Sequence, residues 1–232
     1  LSSDNVVYSY SGIRPLAKSD HEFTGRISRG HFIHRIDGAV PQFCMVGGKW
    51  TTFRAFAEQA ADVVLDELGR ARVRDTIGLA IGGGAGFPTD PSELERSLVA
   101  RHGISVKRAA WLVDAYGTRA EKLLEFCLNR PDDVPLQADC WVTSAEIAYL
   151  ARNELVVGLE DMLLRRTPLA IRGEVSTALI SSVATAMAKE LGWNAERQAQ
   201  EVETVIGNLA TYHGVSLEML EQRTHDRSTT CV

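Results

Sequence analysis

Three cations and one glycine pair are the residues of this chain best suited to chemistry. Phe43-Cys44-Met45-Val46 is a short apolar run that meets Gly47-Gly48 and then Lys49-Trp50-Thr51-Thr52-Phe53-Arg54, the start of an amphipathic helical pattern. That order predicts strand, tight turn and helix. The unpaired N–H groups of the helix's first turn and the positive end of its dipole favour a phosphate, a carboxylate or another electron-rich group, and Lys49 adds a full charge there. Paired glycines let a ligand come close to the backbone. A phosphate-binding P-loop is excluded, because Phe43 stands where its first glycine is required and Trp50 where its Ser or Thr is required. The bland alternative is a glycine pair that merely turns a strand into a helix beside a solvated lysine.

The elements around that turn carry two more cations. Asn5 to Ser11 is β-branched and aromatic over strand length, and Gly12 ends it. Pro15 holds Arg14 out of the helical region, so this arginine stands on an extended or turning segment, either as a ligand or as a surface residue. Arg26 to Gly30, with Arg29, leads into a second expected strand, His31 to Ile36; Asp37-Gly38 begins a connection, and Gln42 to Val46 returns as the third. Arg14, Arg29 and Lys49 thus form a cationic set able to converge on one dianion. The helix after Gly48 is expected to bury a face made by Trp50, Phe53, Phe56, Ala57, Ala60, Val63, Val64 and Leu68 and to stop at Gly69. His31 and His34 are read as sharing one side of their strand, in a structural rather than metal-binding role for want of a third ligand.

In combination these pieces resemble a known family. Gly12-Ile13-Arg14-Pro15-Leu16, then Ser28-Arg29-Gly30-His31, then Gly47-Gly48-Lys49-Trp50-Thr51-Thr52-Phe53-Arg54 are similar to the flavin-dependent glycerol-3-phosphate dehydrogenases. Further matches at Tyr116-Gly117-Thr118-Arg119-Ala120, Glu146-Ile147-Ala148-Tyr149, Leu163-Leu164-Arg165-Arg166-Thr167 and Leu191-Gly192-Trp193-Asn194 extend the likeness over nearly the whole chain. The resemblance implies FAD as cofactor and glycerol 3-phosphate as substrate, with Arg14 and Arg29 gripping the phosphate or orienting the glycerol end. It implies a catalytic Lys49 close to substrate and flavin, with Gly47, Gly48 and the amides of Lys49, Trp50 and Thr51 facing the pyrimidine edge of the isoalloxazine. Hydride transfer from C2 of the substrate places negative charge on that edge, which a helix N-terminus and a lysine stabilise. Gly30 departs from the charged or polar residue that many members carry there. Quinone or another electron acceptor, peripheral association with the inner face of the cell membrane and a homodimer all remain open under this resemblance.

Composition sets the outer bounds. The chain has 232 residues, a formal net charge of -5 and 45% hydrophobic residues, with a pI near 5.7. No basic stripe dominates, which argues against a nucleic-acid partner. No run of apolar residues is long enough to span a bilayer. Leu1-Ser2-Ser3-Asp4 has neither an initiating Met nor the pattern of a signal peptide, and reads as cut from something longer. Cys44, Cys127, Cys140 and Cys231 are far apart and read as reduced thiols of a cytoplasmic protein. The Gly-x-Gly-x-x-Gly turn that cradles FAD pyrophosphate does not occur in the sequence. Gly82-Gly83-Gly84-Ala85-Gly86 is followed at once by Thr-Asp-Pro and is expected to be a flexible linker.

Beyond it the pattern turns helical. Asp90-Pro91-Ser92-Glu93 and Thr118-Arg119-Ala120-Glu121 read as helix starts with capping boxes, Thr143-Ser144-Ala145-Glu146 as the start of the next helical stretch, Arg165-Arg166-Thr167-Pro168 as its end, and Glu174 to Leu191 and Asn194 to Tyr212 as two long helices. Arg165 and Arg166 are expected to pair with Glu160 and Asp161, and Trp111, Trp141 and Trp193 to serve as core or contact aromatics. The expected fold is α+β: residues 1–70 closing an FAD- and substrate-binding domain with short strands and a helix, a linker at 71–90, an all-helical C-terminal domain at 91–223 and a disordered tail at 224–232. The functional expectation is the C-terminal portion of a flavoenzyme oxidising glycerol 3-phosphate to dihydroxyacetone phosphate, inactive alone. The alternatives are a helical capping or subunit-interaction module without catalytic role, and an oxidase that passes electrons to oxygen.

Overall fold

Most helices of the second part begin where a short polar side chain reaches back to the first turn. Asp90 accepts from the N–H of Ser92 at 3.1 Å, Ser105 from Arg108 at 3.2 Å, Ser176 from Leu179 at 3.1 Å and Asn194 from Arg197 at 2.8 Å, each satisfying a donor that the helix itself leaves orphaned. The computed structural model describes residues 5–13, 23, 27, 30–137 and 140–229. Its chain divides into two compact units, one of residues 1–11 with 81–232 and one of residues 12–80.

The larger unit is helical. α2 (Pro91–His102), α3 (Val106–Tyr116) and α4 (Ala120–Leu128) pack around Leu98, Leu112 and Leu123. α5 (Ser144–Asn153), a π-helical turn (Asp161–Arg166), α6 (Thr177–Leu191), α7 (Ala195–His213) and α8 (Leu217–Thr229) enclose Ile147, Leu159, Met162, Leu179, Met187 and Leu209. Trp111 and Tyr116 touch both clusters. Among the described residues no helix is long and apolar enough to cross a membrane.

Several elements differ from the sequence-based expectation. The helix opened at Thr143 does not run on to Arg166: it stops at Asn153, and Leu155 takes φ 53. Asp161 then caps the next turn, accepting from the N–H groups of Val157 and Gly158 at 3.1 Å each. Burial pushes its carboxyl up, but those two N–H bonds and Arg165 outweigh burial and hold it below the ordinary range. α8 extends to Thr229, past the expected tail boundary, because Thr224 hydrogen-bonds Thr177 at 2.8 Å and anchors α8 to α6. Thr118 caps no helix; its hydroxyl donates to the carbonyls of Gly83 and Ala85 at 3.1 and 3.0 Å.

That last contact overturns the flexible reading of the glycine run. Gly83 and Gly117 lie backbone against backbone, with Thr118 N–H donating to Gly83 O at 2.9 Å. A Cβ on Gly83 would sit 2.3 Å from the carbonyl oxygen of Tyr116, and one on Gly117 would sit 2.3 Å from that of Gly83. The glycines allow this close approach, and the run is a fixed pair of turns rather than a tether.

The smaller unit is an antiparallel hairpin, β1 (Phe32–Ile36) and β2 (Gln42–Val46), followed by a 3₁₀ turn (Trp50–Thr52) and α1 (Phe53–Glu67). Asn5–Ser11, expected as its first strand, forms no strand and belongs to the helical unit. α1 ends as expected: Gly69 has φ 63 and Arg70 N–H donates to Leu65 O at 2.9 Å. Its apolar face is less covered than its periodicity predicts. Phe56 alone is buried on α1, while Phe53, Val64 and Leu68 are exposed, because among the described residues only two strands lie across it.

Candidate functional site

The hairpin's register builds the turn. Phe32 pairs with Val46, so the strands, continued by one residue, bring the chain before β1 beside Gly47. There the two backbones touch: a Cβ on Gly47 would stand 2.6 Å from the carbonyl oxygen of Gly30, and Gly47 has φ 77. Gly48 follows at φ 121. Neither conformation suits a residue with a side chain, so the strand-to-helix turn requires glycine twice. Lys49 then takes extended backbone (φ -122, ψ 150) as the residue ahead of the 3₁₀ turn. Thr52 closes that turn, with its N–H on Lys49 O at 3.0 Å and its hydroxyl accepting from Lys49 N–H at 3.3 Å.

The site residues expected from sequence fall into two groups. Gly47, Gly48, Lys49, Trp50 and Thr51 are brought together on this turn. All five are solvent-exposed, Trp50 at 91%, and the Lys49 ammonium forms no ion pair among the described residues. Arg14 and Arg29 lie outside the described residues; Gly30, the chain neighbour of Arg29, is the residue against Gly47.

Around the turn the smaller unit is fixed by polar staples. His31 stacks on Phe56 with centroids 4.4 Å apart and hydrogen-bonds Gln59 at 3.0 Å. His34 is exposed. The two histidines therefore lie on opposite faces of β1, against the expectation, because side chains three apart on a strand differ in parity. Among the described residues no three metal-binding side chains gather. Arg54, in the sequence motif itself, is structural: it donates to the carbonyls of Leu79, at 2.9 Å, and Thr76. Arg72 pairs with Glu58 at 3.1 Å and Asp62 at 2.9 Å, and the hydrogen bond from Thr76 holds the Glu58 carboxyl below its usual range. Residues 72–79 thus return along α1.

In the helical unit, sequence reading placed Glu146 only at a helix start. The carboxylate is wholly buried and accepts from Arg108 at 2.6 Å, Trp111 Nε1 at 3.0 Å and Tyr116 OH at 2.6 Å. Burial, then the Glu146 charge, drives the Tyr116 hydroxyl well above its usual range. No local signal distinguished this buried glutamate from a helix-start glutamate; its three partners come from α3, between 30 and 38 residues earlier in the chain. Arg165 pairs with Glu160 and Asp161, both at 3.1 Å, as its spacing predicts, whereas Arg166 binds the Glu154 carbonyl at 2.8 Å.

Residues 74–198 match the family model for the C-terminal domain of alpha-glycerophosphate oxidase, and the chain belongs to that family. It is similar, at 31% identity over 225 residues, to the glycerol-3-phosphate dehydrogenase of Mycobacterium leprae, covering 94% of this chain and 36% of that protein. The mitochondrial glycerol-3-phosphate dehydrogenase of Mus musculus is 30% identical over 220 residues, with 88% and 29% covered. The chain therefore spans about a third of the length of the curated relatives it matches. In fold it resembles the glycerol-3-phosphate dehydrogenase of Bacillus halodurans solved with FAD, at a TM-score of 0.61 and 22% identity over 73% of this chain and 35% of that one.

Proposed function

We propose that this chain is the C-terminal part of an FAD-dependent enzyme that oxidises sn-glycerol 3-phosphate to dihydroxyacetone phosphate. The observation that supports it most is the contact of Gly47 with Gly30, which sets the backbone before β1 against the glycine turn that carries Lys49. Family membership and the names of the relatives point the same way. The turn suits a flavin edge: no Cβ projects from Gly47 or Gly48, and Lys49 is exposed beside the first-turn amides.

FAD, when bound, supplies the hydride acceptor. Lys49, with the N–H groups of Lys49, Trp50 and Thr51 and the backbone of Gly47 and Gly48, would hold its pyrimidine edge and stabilise negative charge developing there. Arg14 and Arg29 would bind the substrate phosphate through charge-assisted hydrogen bonds. On this reading residues up to about 70 close the FAD and substrate domain and the helices from 91 onward form a separate C-terminal domain. The chain alone does not turn over. The proposed acceptor is a quinone, met at the membrane surface; oxygen is the rival, since the matching family model takes its name from an oxidase.

The test is flavin reduction in the full-length protein. Anaerobic glycerol 3-phosphate should bleach its visible flavin bands. Lys49→Ala should slow bleaching by about a hundredfold, the scale of one lost oxyanion-type donor. Arg29→Ala should raise KM by roughly tenfold or more, for a lost bond of about 1.5–3 kcal/mol. Bound flavin that substrate leaves oxidised overturns the assignment. A quinone analogue consumed without hydrogen peroxide formation supports the dehydrogenase; peroxide in its place supports the oxidase.

A further inference from the structure

Two stretches of the helical unit that the proposed reaction leaves unused meet at one cleft. Arg119 ends the 3₁₀ turn Gly117–Arg119, and Arg165 and Arg166 end the π-helical turn Asp161–Arg166. All three line a cleft of about 290 Å³, to which buried Leu123 and Leu150 add an apolar lining. Among the described residues, the one acidic side chain lining it is Glu154.

The three arginines are not equivalent. Arg165 is engaged by Glu160 and Asp161, neither of which lines the cleft. Arg166 donates from Nε to the Glu154 carbonyl at 2.8 Å and from Nη1 to the Arg165 carbonyl at 3.4 Å. Those bonds set the plane of its guanidinium, and its Nη2 makes no hydrogen bond among the described residues. Arg119 makes neither a hydrogen bond nor an ion pair among the described residues. Its guanidinium lies folded over Gly82, where a Cβ would stand 3.0 Å from both Cζ and Nη1. Gly82 has no positive φ that calls for glycine, so the missing side chain makes room for this guanidinium.

Two exposed guanidinium groups with free donors thus face one small cleft from separate segments, and neither has a carboxylate partner. Like charges so placed repel, and an anion able to take two planar forks relieves them. One bidentate arginine fills both oxygens of a carboxylate, whereas a phosphate monoester has three free oxygens to divide between two arginines. The Glu154 carboxylate only accepts, so it suits a hydroxyl on the rest of the ligand. A cleft of this size is at the small end of ligand sites and fits a body of a few carbons.

We propose that this cleft binds a small phosphate monoester bearing hydroxyl groups, with Arg119 and Arg166 on the phosphate and Glu154 accepting from a hydroxyl. The site is built wholly within the helical unit. It uses none of the residues assigned to FAD or glycerol 3-phosphate, and so stands independently of that assignment.

The test is calorimetric titration of the full-length protein with inorganic phosphate and with glycerol 2-phosphate. Both should bind, glycerol 2-phosphate the more tightly. Arg119→Gln and Arg166→Gln should each weaken both by about tenfold or more, the scale of one lost charge-assisted bond. Gly82→Ala, which displaces the Arg119 guanidinium and removes no charge, should weaken both by about threefold or more. Glu154→Gln should tighten inorganic phosphate by removing a like charge, and should abolish the advantage of glycerol 2-phosphate. Arg165→Gln should change either affinity by less than about threefold, and in Arg119→Gln the KM for glycerol 3-phosphate should stay within about twofold. Should Arg166→Gln not fold, Arg119→Gln decides alone, since its side chain makes no bond whose loss would unfold the protein. Equal affinities in wild type and Arg119→Gln put the phosphate elsewhere and overturn the proposal. Losses in Arg165→Gln as large as in Arg119→Gln, or displacement of both probes by chloride at equal ionic strength, show bulk charge attraction and overturn it too. A KM for glycerol 3-phosphate that rises in step with the loss of phosphate makes the cleft part of the substrate site and overturns it as a further one. Equal affinity of the wild type for the two probes overturns the hydroxyl-bearing class.

Discussion

Glu146 is a charge with no access to water, and its stability depends on three donors arriving together. Removing it leaves the Arg108 guanidinium largely buried and without its carboxylate. Glu146→Ala is therefore expected to cost about 3–5 kcal/mol, read from the urea midpoint, while a conservative change at an exposed glutamate such as Glu218 should stay within about 0.5 kcal/mol. Cys127 offers a second test at this scale. Burial and then the charge of Asp133 push its thiol up to about 12. At pH 8 only about one molecule in ten thousand would carry the thiolate, so iodoacetamide should leave Cys127 unmodified and label exposed Cys44 in the native protein, as read by peptide mapping. The sign follows from the raised value: the buried neutral thiol favours the folded state below the thiol's ordinary range, and that advantage is lost as pH climbs toward 12.

At the scale of elements, the Gly83–Gly117 contact gives a matched pair of substitutions. Gly83→Ala meets the Tyr116 carbonyl and a strained φ together, whereas Gly86→Ala meets the strained φ with nothing within 4 Å. Gly86→Ala is expected to cost about 1–2 kcal/mol and Gly83→Ala clearly more, a difference measurable as separate thermal midpoints. These glycines also show what the sequence could and could not convey. Helix starts at Asp90 and Asn194 and the stop at Gly69 were legible, because a cap is a local exchange between a side chain and the next few amides. The strand, glycine turn and helix around Lys49 were legible for the same reason. Gly82–Gly86 was misread because its partner, Gly117, lies some thirty residues on, and a glycine held by a distant backbone looks like a glycine held by nothing. The break after Asn153 was hidden likewise, since Glu201 on α7 supports it by accepting from Leu159 N–H at 2.7 Å. Arg14 and Arg29 lie outside the described residues.

Taken whole, the molecule joins the two ends of its described chain in one unit. Residues 5–11 lie on α7 and α8, so the helical unit is discontinuous in sequence, and a version beginning at residue 12 should keep its helices but melt several degrees lower, since about 1–3 kcal/mol of hydrogen bonding and stacking is lost; calorimetry on both forms checks this. The order in which a ribosome makes the chain now matters. Residues 5–11 emerge near the start of this sequence, while His213 and Arg223 are made 204 and 216 positions after the groups they hold. At about 5–20 residues per second, that is on the order of ten seconds or more of synthesis during which Tyr8 and the bare backbone beside it have no docking surface. Docking of residues 5–11 is thus among the later contacts of this sequence that translation permits. A chain stalled before His213 would present that segment without the groups that hold it, open to any passing chaperone.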